Sequence, residues 1–294
     1  MSVSRPRVLP LLSAWLLATL LASPALAAES RSRILATSAA TTLEGSAGGG
    51  IVPMAVLPGY GAREEQGGSA FVSYVHLPDY DLAVAGVNWS WRNRVAISLA
   101  EQRLSHQPLS ERLDVEPTSI RQTVAEAKVR LAGDLIYTDW PQVSVGVQYK
   151  KNHDFFVPQA AGAQDDSGYD LYLSATRLIL AGLFERNLLL NANIRYTKAN
   201  QVGLVGFGGD LNDSHEWVGE LSAGLFLNQH WLIGAEYRQK PDNLSFIPES
   251  DWYTAFVAWF PSKRWSLVGA YVDLGEVATF DNQRGAYVSL QGSF

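Results

Sequence analysis

The last eleven residues of the chain, 284–294, alternate between apolar and polar side chains and stop on an aromatic residue. Side chains change face at every residue of a β-strand, so this stretch predicts a strand with one apolar and one polar face. The apolar face would carry Ala286, Val288, Leu290, Gly292 and Phe294, and the polar face Tyr287, Ser289, Gln291 and Ser293.

The same alternation recurs along most of the chain. Apolar residues make up 47% of the sequence, yet they alternate with polar ones more often than they form long runs. A closed barrel in lipid has this pattern, because its outside is apolar, its inside is polar and every backbone amide is paired. We therefore predict an all-β, transmembrane, antiparallel up-and-down β-barrel of about 12 strands over residues 68–294. The expected strands are 68–77, 81–90, 94–104, 122–136, 142–151, 168–180, 187–199, 214–228, 230–240, 251–260, 264–274 and 284–294.

Charged residues share one face of each strand that carries them. A basic side chain that faced lipid at mid-depth would cost roughly 2–4 kcal/mol, so the charged face must be the inner one. The side chains predicted to line the lumen are Glu126, Lys128, Arg130, Gln148, Lys150, Asn191, Asn193, Arg195, Glu220, Glu236 and Arg238.

The predicted connections alternate in length, with short turns on one side and mostly long, acidic loops on the other. This asymmetry is typical of outer-membrane barrels, whose short turns face the periplasm. Aromatic residues should mark the two water–lipid boundaries, with Trp near the turns and Tyr near the loops. The tyrosines assigned to the loop side are Tyr74, Tyr80, Tyr149, Tyr169, Tyr196, Tyr237, Tyr253, Tyr271 and Tyr287.

The first 27 residues predict a cleaved signal peptide. Arg5 and Arg7 precede a short apolar stretch, and Ala25-Leu-Ala27 fits the cleavage pattern. Export and a barrel together predict the bacterial outer membrane. The chain has no cysteine, and its net charge of −6 is a poor match for nucleic acid.

Residues 28–67 differ from the rest because their central part, 48–61, is an apolar stretch punctuated by glycine. Two interpretations remain open: a periplasmic segment or extra barrel edge, and a plug folded into the lumen. Glycine would allow the close backbone approach that a plug needs. The plug residues would be Gly48, Gly49, Gly50, Pro53, Gly59, Tyr60 and Gly61.

The glycine run, the Val52-Pro-x-Ala55 segment and Gly59-Tyr-Gly61, followed by the strand array, resemble an uncharacterised proteobacterial family. That family is a domain of unknown function taken to be an outer-membrane protein, and it implies a porin-like barrel without catalytic residues. The final strand also resembles the C-terminal signature of outer-membrane barrels. On that resemblance Tyr287, Leu290 and Phe294 are the terminus that the barrel-assembly machinery reads.

Enzyme chemistry is not expected. Twelve-stranded barrels include a phospholipase that uses Ser, His and Asn, but Ser73 and His76 lie three apart in a strand and face opposite sides. No G-x-S-x-G elbow is present. His153 beside Asp154 and His215 beside Glu216 are interpreted as solvated loop residues. No metal or other cofactor is expected, although the acidic loops could bind divalent cations.

Three functional hypotheses follow. The first is a narrow channel for passive passage of small solutes through a charged lumen. The second is a plugged transporter of small hydrophobic compounds with a lateral exit in the wall, and the third is a non-conducting structural or adhesive barrel. The expected partners are outer-membrane lipid and lipopolysaccharide, the barrel-assembly machinery and an unspecified small solute.

Overall fold

A computed structural model describes residues 34–105, 119–277 and 280–294. The predicted signal peptide, residues 1–27, lies outside these residues. Within the described residues no helix is long and apolar enough to cross a membrane.

In the part of the chain that the structure describes, twelve long strands form one closed antiparallel barrel, and two short strands form a separate hairpin. Consecutive barrel strands pair in sequence, and β14 closes the ring on β3 with Val288 opposite Tyr74. The predicted fold class and strand number are therefore confirmed. The hairpin strands are β1 (Ala40–Thr41) and β2 (Ala47–Gly48); the barrel strands are β3 (Gln66–His76), β4 (Asp81–Trp91), β5 (Val95–Ser105), β6 (Ser119–Ala132), β7 (Gln142–Asn152), β8 (Ser167–Leu183), β9 (Arg186–Thr197), β10 (Glu216–Phe226), β11 (Trp231–Arg238), β12 (Trp252–Ser262), β13 (Trp265–Asp273) and β14 (Arg284–Ser293).

The connections differ between the two ends of the barrel. We call the end with short connections the turn end; there β8 and β9 are joined by residues 184–185 alone. The other end, the loop end, carries the longer connections, including residues 198–215 and 239–251. The loop end also holds a short helix, α1 (Phe156–Ala160), and a 3₁₀ turn at Asn200–Gly203.

The outer face of the barrel is apolar and exposed, as a lipid-facing surface must be. Leu99, Ile194 and Val288 are each about half exposed although they lie within strands. The tryptophans that flank the turns also point outward: Trp89, Trp91, Trp140, Trp231, Trp259 and Trp265.

Two tyrosines do not follow the predicted boundary. Tyr80 and Tyr287 are buried inside the barrel rather than at the lipid surface. Tyr80 packs edge-on against Phe280, and the Tyr287 hydroxyl donates a hydrogen bond to the Thr41 carbonyl at 3.2 Å. The prediction that placed them at the boundary was wrong because it used position along the strand without strand parity.

The hairpin β1–β2 belongs to a segment that lies within the ring of strands. We call residues 34–61 the inner segment. From residue 38 to residue 61 every residue of it is buried. Its polar contacts, described next, are with inward-facing side chains of strands all around the barrel.

Candidate functional site inside the barrel

Glu44 lies at the tip of the β1–β2 hairpin and contacts three cationic side chains of the wall. Arg238 of β11 donates a hydrogen bond to Glu44 Oε2 at 2.5 Å, and Lys150 of β7 donates to Oε1. Arg195 of β9 lies 3.6 Å from Oε2. All four groups are almost completely excluded from solvent. A single carboxylate of the inner segment is thus held by three cations from three strands.

Two wall carboxylates complete the charge balance around these cations. Asp170 of β8 accepts hydrogen bonds from Lys150 at 2.6 Å and from Arg195 at 3.1 Å. Glu220 of β10 accepts from Arg195 Nε at 2.6 Å and lies 3.3 Å from Arg238 Nε. Buried charges persist when they are paired and hydrogen-bonded, and this network meets that condition.

A fourth cation, Lys128 of β6, binds the inner segment through one hydroxyl and two backbone carbonyls. Its ammonium donates to Ser46 Oγ at 2.6 Å, to the Met54 carbonyl at 3.1 Å and to the Ala47 carbonyl at 3.3 Å. Glu126 lies 3.8 Å from this ammonium. Lys128 therefore joins the outgoing and returning halves of the segment.

Glu236 of β11 binds the glycine run from the opposite side. Its Oε2 accepts from the Gly50 and Ile51 amides at 2.8 and 2.9 Å. A Cβ at Gly49 would lie 2.0 Å from Glu236 Oε1, so only glycine lets the backbone approach this closely. Gly48 is restricted in the same way, because a Cβ there would lie 2.3 Å from the Val52 carbonyl oxygen.

The returning half of the inner segment is held by amides and hydroxyls. Asn191 and Asn193 of β9 donate to the Pro53 carbonyl at 3.0 and 2.6 Å. Gln142 of β7 donates to the Ala55 carbonyl at 2.6 Å. These contacts fix the segment against the wall without using charge.

The segment ends where the barrel begins. Gly59 has a φ of +72°, and a Cβ there would lie 2.4 Å from the Gly68 nitrogen. The Tyr60 hydroxyl accepts a hydrogen bond from the Ala36 amide at 3.2 Å. Gly61 packs on the backbone of Gln66. The segment therefore enters and leaves at the turn end.

The structure brings the predicted lumen residues together on the inner face. Arg130 is half-buried and donates to Asp134 at 3.0 Å near the turn end. Gln148 donates to Glu126 at 2.7 Å and accepts from Arg195 at 2.9 Å. The other predicted members are buried as well: Glu126, Lys128, Lys150, Asn191, Asn193, Arg195, Glu220, Glu236 and Arg238.

Sequence reasoning missed several members of this site, among them Gln142. Asp170 and Tyr172, whose hydroxyl lies 3.1 Å from Ser46 Oγ, share the inner face of β8, which their alternation with Tyr169 and Leu171 could have shown. Glu44 is the one charged residue between Arg33 and Arg63, and that isolation was the available signal. An isolated carboxylate in an uncharged segment needs a cationic partner once it is buried.

An apolar cavity of about 430 Å³ lies between the inner segment and the wall at the turn end. The segment lines it with Met54 and Val56, among others. The wall lines it with the apolar inner faces of β8–β13, namely Leu178, Leu189, Phe226, Leu232, Phe256, Ala258, Phe260 and Val268. The lumen prediction did not include these residues.

A buried ion pair lies in the loop-end connection between β11 and β12. Lys240 and Glu249 pair at 2.6 Å, and Lys240 also donates to Gln201 at 3.0 Å. Burial raises the pKa of the Glu249 carboxyl and lowers the pKa of the Lys240 ammonium, against their mutual attraction. The Val202 carbonyl, in the 3₁₀ turn, accepts from Lys150 at 3.2 Å.

Ser73 and His76 do not form a hydrolytic pair. Ser73 points inward and bonds Ser289 at 2.8 Å, whereas His76 is exposed and bonds Asp81 at 2.7 Å. His215 stacks on Tyr169. Among the residues that the structure describes, no group of three or more His, Cys, Asp or Glu side chains could hold a metal ion. Divalent-cation binding by the outer loops stays a prediction.

The C-terminal residues lie on both faces of the closing strand. Leu290 and Phe294 point outward, whereas Tyr287 points inward, so the three do not form one surface. Phe294 packs on Trp89 with ring centroids 5.8 Å apart. Its amide and carbonyl both pair with Gly68 at 2.9 Å. Recognition of this terminus by the assembly machinery stays a prediction.

A closed 12-stranded barrel with an apolar outer face and a charged interior is an outer-membrane β-barrel of porin-like architecture. The family model described as "Protein of unknown function (DUF3034)" matches residues 37–291. The chain belongs to this family, and the resemblance drawn from the glycine-rich segment is confirmed. No curated protein matches the chain.

Solved structures with similar barrels include porins and an enzyme. The KdgM porin is 11% identical with a TM-score of 0.49, covering 77% of this chain and 99% of the porin. Omp33 of Acinetobacter baumannii is 8% identical with a TM-score of 0.48, covering 79% and 100%. Outer membrane phospholipase A of Escherichia coli is 11% identical with a TM-score of 0.38, covering 82% and 94%. Such distant likenesses transfer neither a solute nor an activity.

Proposed function

We propose that this protein is an outer-membrane channel for small solutes that the inner segment keeps closed at rest. The observation that carries the proposal is the contact of Glu44 with Lys150, Arg195 and Arg238 inside the lumen, at or within two residues of the loop-end termini of their strands. All four side chains are buried, so solvent hardly reaches them. Solute passage would require the segment to move.

The charges of the barrel wall balance one another without the inner segment. The buried wall groups are four cations, Lys128, Lys150, Arg195 and Arg238, and four anions, Glu126, Asp170, Glu220 and Glu236. Removing the segment would therefore leave a wall of balanced charge that water could enter. Opposed rows of fixed charges are how many channels select solutes.

The segment is also placed so that it could withdraw. Both of its ends lie at the turn end, and its hairpin is joined to the wall by side chains rather than by a β-ladder. A channel function is favoured over a hydrolase because Ser73 and His76 lie on opposite faces of β3.

Planar-bilayer conductance tests the proposal. Full-length protein should rest in a closed or low-conducting state, and a variant lacking residues 34–58 should conduct steadily. A heat-dependent mobility shift on a detergent gel would establish that both barrels are folded. Equal conductance of the two folded proteins would contradict the proposal.

A peptide of residues 34–61 provides the matched control. Added from the turn end, it should block the deletion variant. The same peptide with Glu44→Gln should block more weakly because it lacks the charge that the three wall cations bind.

A further inference from the structure

The inner face of the barrel is apolar, not polar, near the turn end of β11, β12 and β13. Leu232 of β11, Phe256 and Phe260 of β12 and Val268 of β13 all point inward and are buried. The interior of an outer-membrane barrel is ordinarily polar, so an apolar inner face needs an occupant. The inner segment covers only part of it, which leaves the cavity of about 430 Å³.

The lining of this cavity has the composition of a ligand site. Its deep part is formed by aromatic and aliphatic side chains of the wall and by Met54 and Val56 of the segment. Polar and charged residues line its edge at the turns, namely Glu185, Arg186, Asn187, Asn228 and Gln229. Small-molecule sites are mostly apolar cavities of about 300–1,000 Å³ with a few polar groups at defined positions.

We infer that this cavity binds a small, uncharged, largely apolar molecule. A charged ligand is disfavoured because the deep wall offers it neither a counter-ion nor a hydrogen bond. This inference rests on the proposed function, because the ligand would act on the segment that closes the channel.

The cavity also reaches the part of the segment that the wall holds most closely. Gly48 and Gly49 line it, and the next residues, Gly50 and Ile51, donate their amides to Glu236. An occupant therefore contacts the segment next to its attachment to β11. Ligand binding and movement of the segment would be coupled through this contact.

Binding can be measured with 4-fluorotoluene as the probe. The full-length protein in lipid nanodiscs should broaden the ¹⁹F signal beyond the broadening by empty nanodiscs. Ala258→Phe fills the cavity from β12 and should weaken binding about tenfold or more. Ala255→Phe is the matched control, because Ala255 lies on the same strand and faces lipid.

A second variant that fills the cavity keeps the test valid if Ala258→Phe does not fold. Ala40→Phe enters the same cavity from the inner segment and should also abolish the excess broadening. Broadening no greater than with empty nanodiscs, or folded filling variants that bind like the full-length protein, would overturn the inference. The conductance of the deletion variant is independent of this result, so either conclusion can fail alone.

Discussion

Glu44 of the inner segment and Arg238 of β11 form a buried ion pair at 2.5 Å, 194 residues apart in sequence. The pair joins a glycine-rich segment to the wall that surrounds it. Because Lys150 and Arg195 reach the same carboxylate, neutralising Glu44 would remove an anion that three wall cations share.

Glu44→Gln should therefore loosen the inner segment. Removing one partner of a buried ion pair typically costs about 3–5 kcal/mol, because the remaining charge stays buried. The fraction of time spent open in bilayer recordings should rise. Glu64→Gln is the control, since Glu64 is exposed beyond the segment's end. An unchanged open fraction in Glu44→Gln would argue against the ion pair as the closing contact.

The outward face of β11 should reject charge. Ile233 points to lipid, so Ile233→Arg should lower the free energy of unfolding in lipid vesicles, by no more than the roughly 2–4 kcal/mol that a basic side chain costs at the midplane. Leu211→Arg also replaces an aliphatic side chain with arginine, but in an exposed loop, and should have little effect. Urea titration in vesicles measures both, and equal losses would argue against the assigned lipid face.

The loop end should loosen in acid. The Ser245 hydroxyl and amide donate to Asp210, and these hydrogen bonds lower the pKa of Asp210 below its ordinary value of 3.8. A carboxylate with a lowered pKa stabilises the fold above the ordinary value, and this contribution is lost as pH falls through the folded pKa.

Hydrogen exchange around residues 209–212 and 243–245, corrected for intrinsic rates, should therefore accelerate as pH falls below about 4. Asp210→Asn should remove this pH dependence. A pH response that persists in Asp210→Asn would assign the effect to another group.

The C-terminal residue should matter for barrel closure. Phe294 pairs with Gly68 through its backbone and packs on Trp89, at the junction of the last and first barrel strands. Phe294→Ala should reduce the folded fraction in cells, measured by heat-dependent gel mobility. Phe184→Ala, at an exposed turn, is the control. A folded fraction equal to that control would show that the aromatic end is dispensable.

The barrel was predictable because side chains alternate between the two faces of a strand, which gives the sequence a period of two residues. Wherever one face is apolar and the other polar, as in β7 with Val145 outward and Gln148 inward, alternation fixes both the strand and its inner face. The charged lumen followed from the same rule. Position along a strand gave no such information, and for that reason Tyr80 and Tyr287 were misplaced.

The apolar cavity could not be predicted by alternation. In β12, Val257 and Trp259 face outward while Phe256 and Phe260 face inward. Both faces are therefore apolar, and alternation cannot distinguish the inner face from the outer one. The path of the inner segment could not be predicted either, because it depends on contacts with wall residues that are distant in sequence. Nothing near Glu44 in sequence indicates Arg195 or Arg238.

Cysteine labelling tests most directly whether the inner segment fills the barrel, because the chain has no native cysteine. Ser46 is fully buried against Lys128 and Tyr172, whereas Ser214 is exposed in a loop. In nanodiscs a maleimide should label Ser214→Cys rapidly and Ser46→Cys at least about tenfold more slowly, as expected for a site reached only by local opening. Both should label equally after denaturation, and equal rates in the folded barrel would contradict the account.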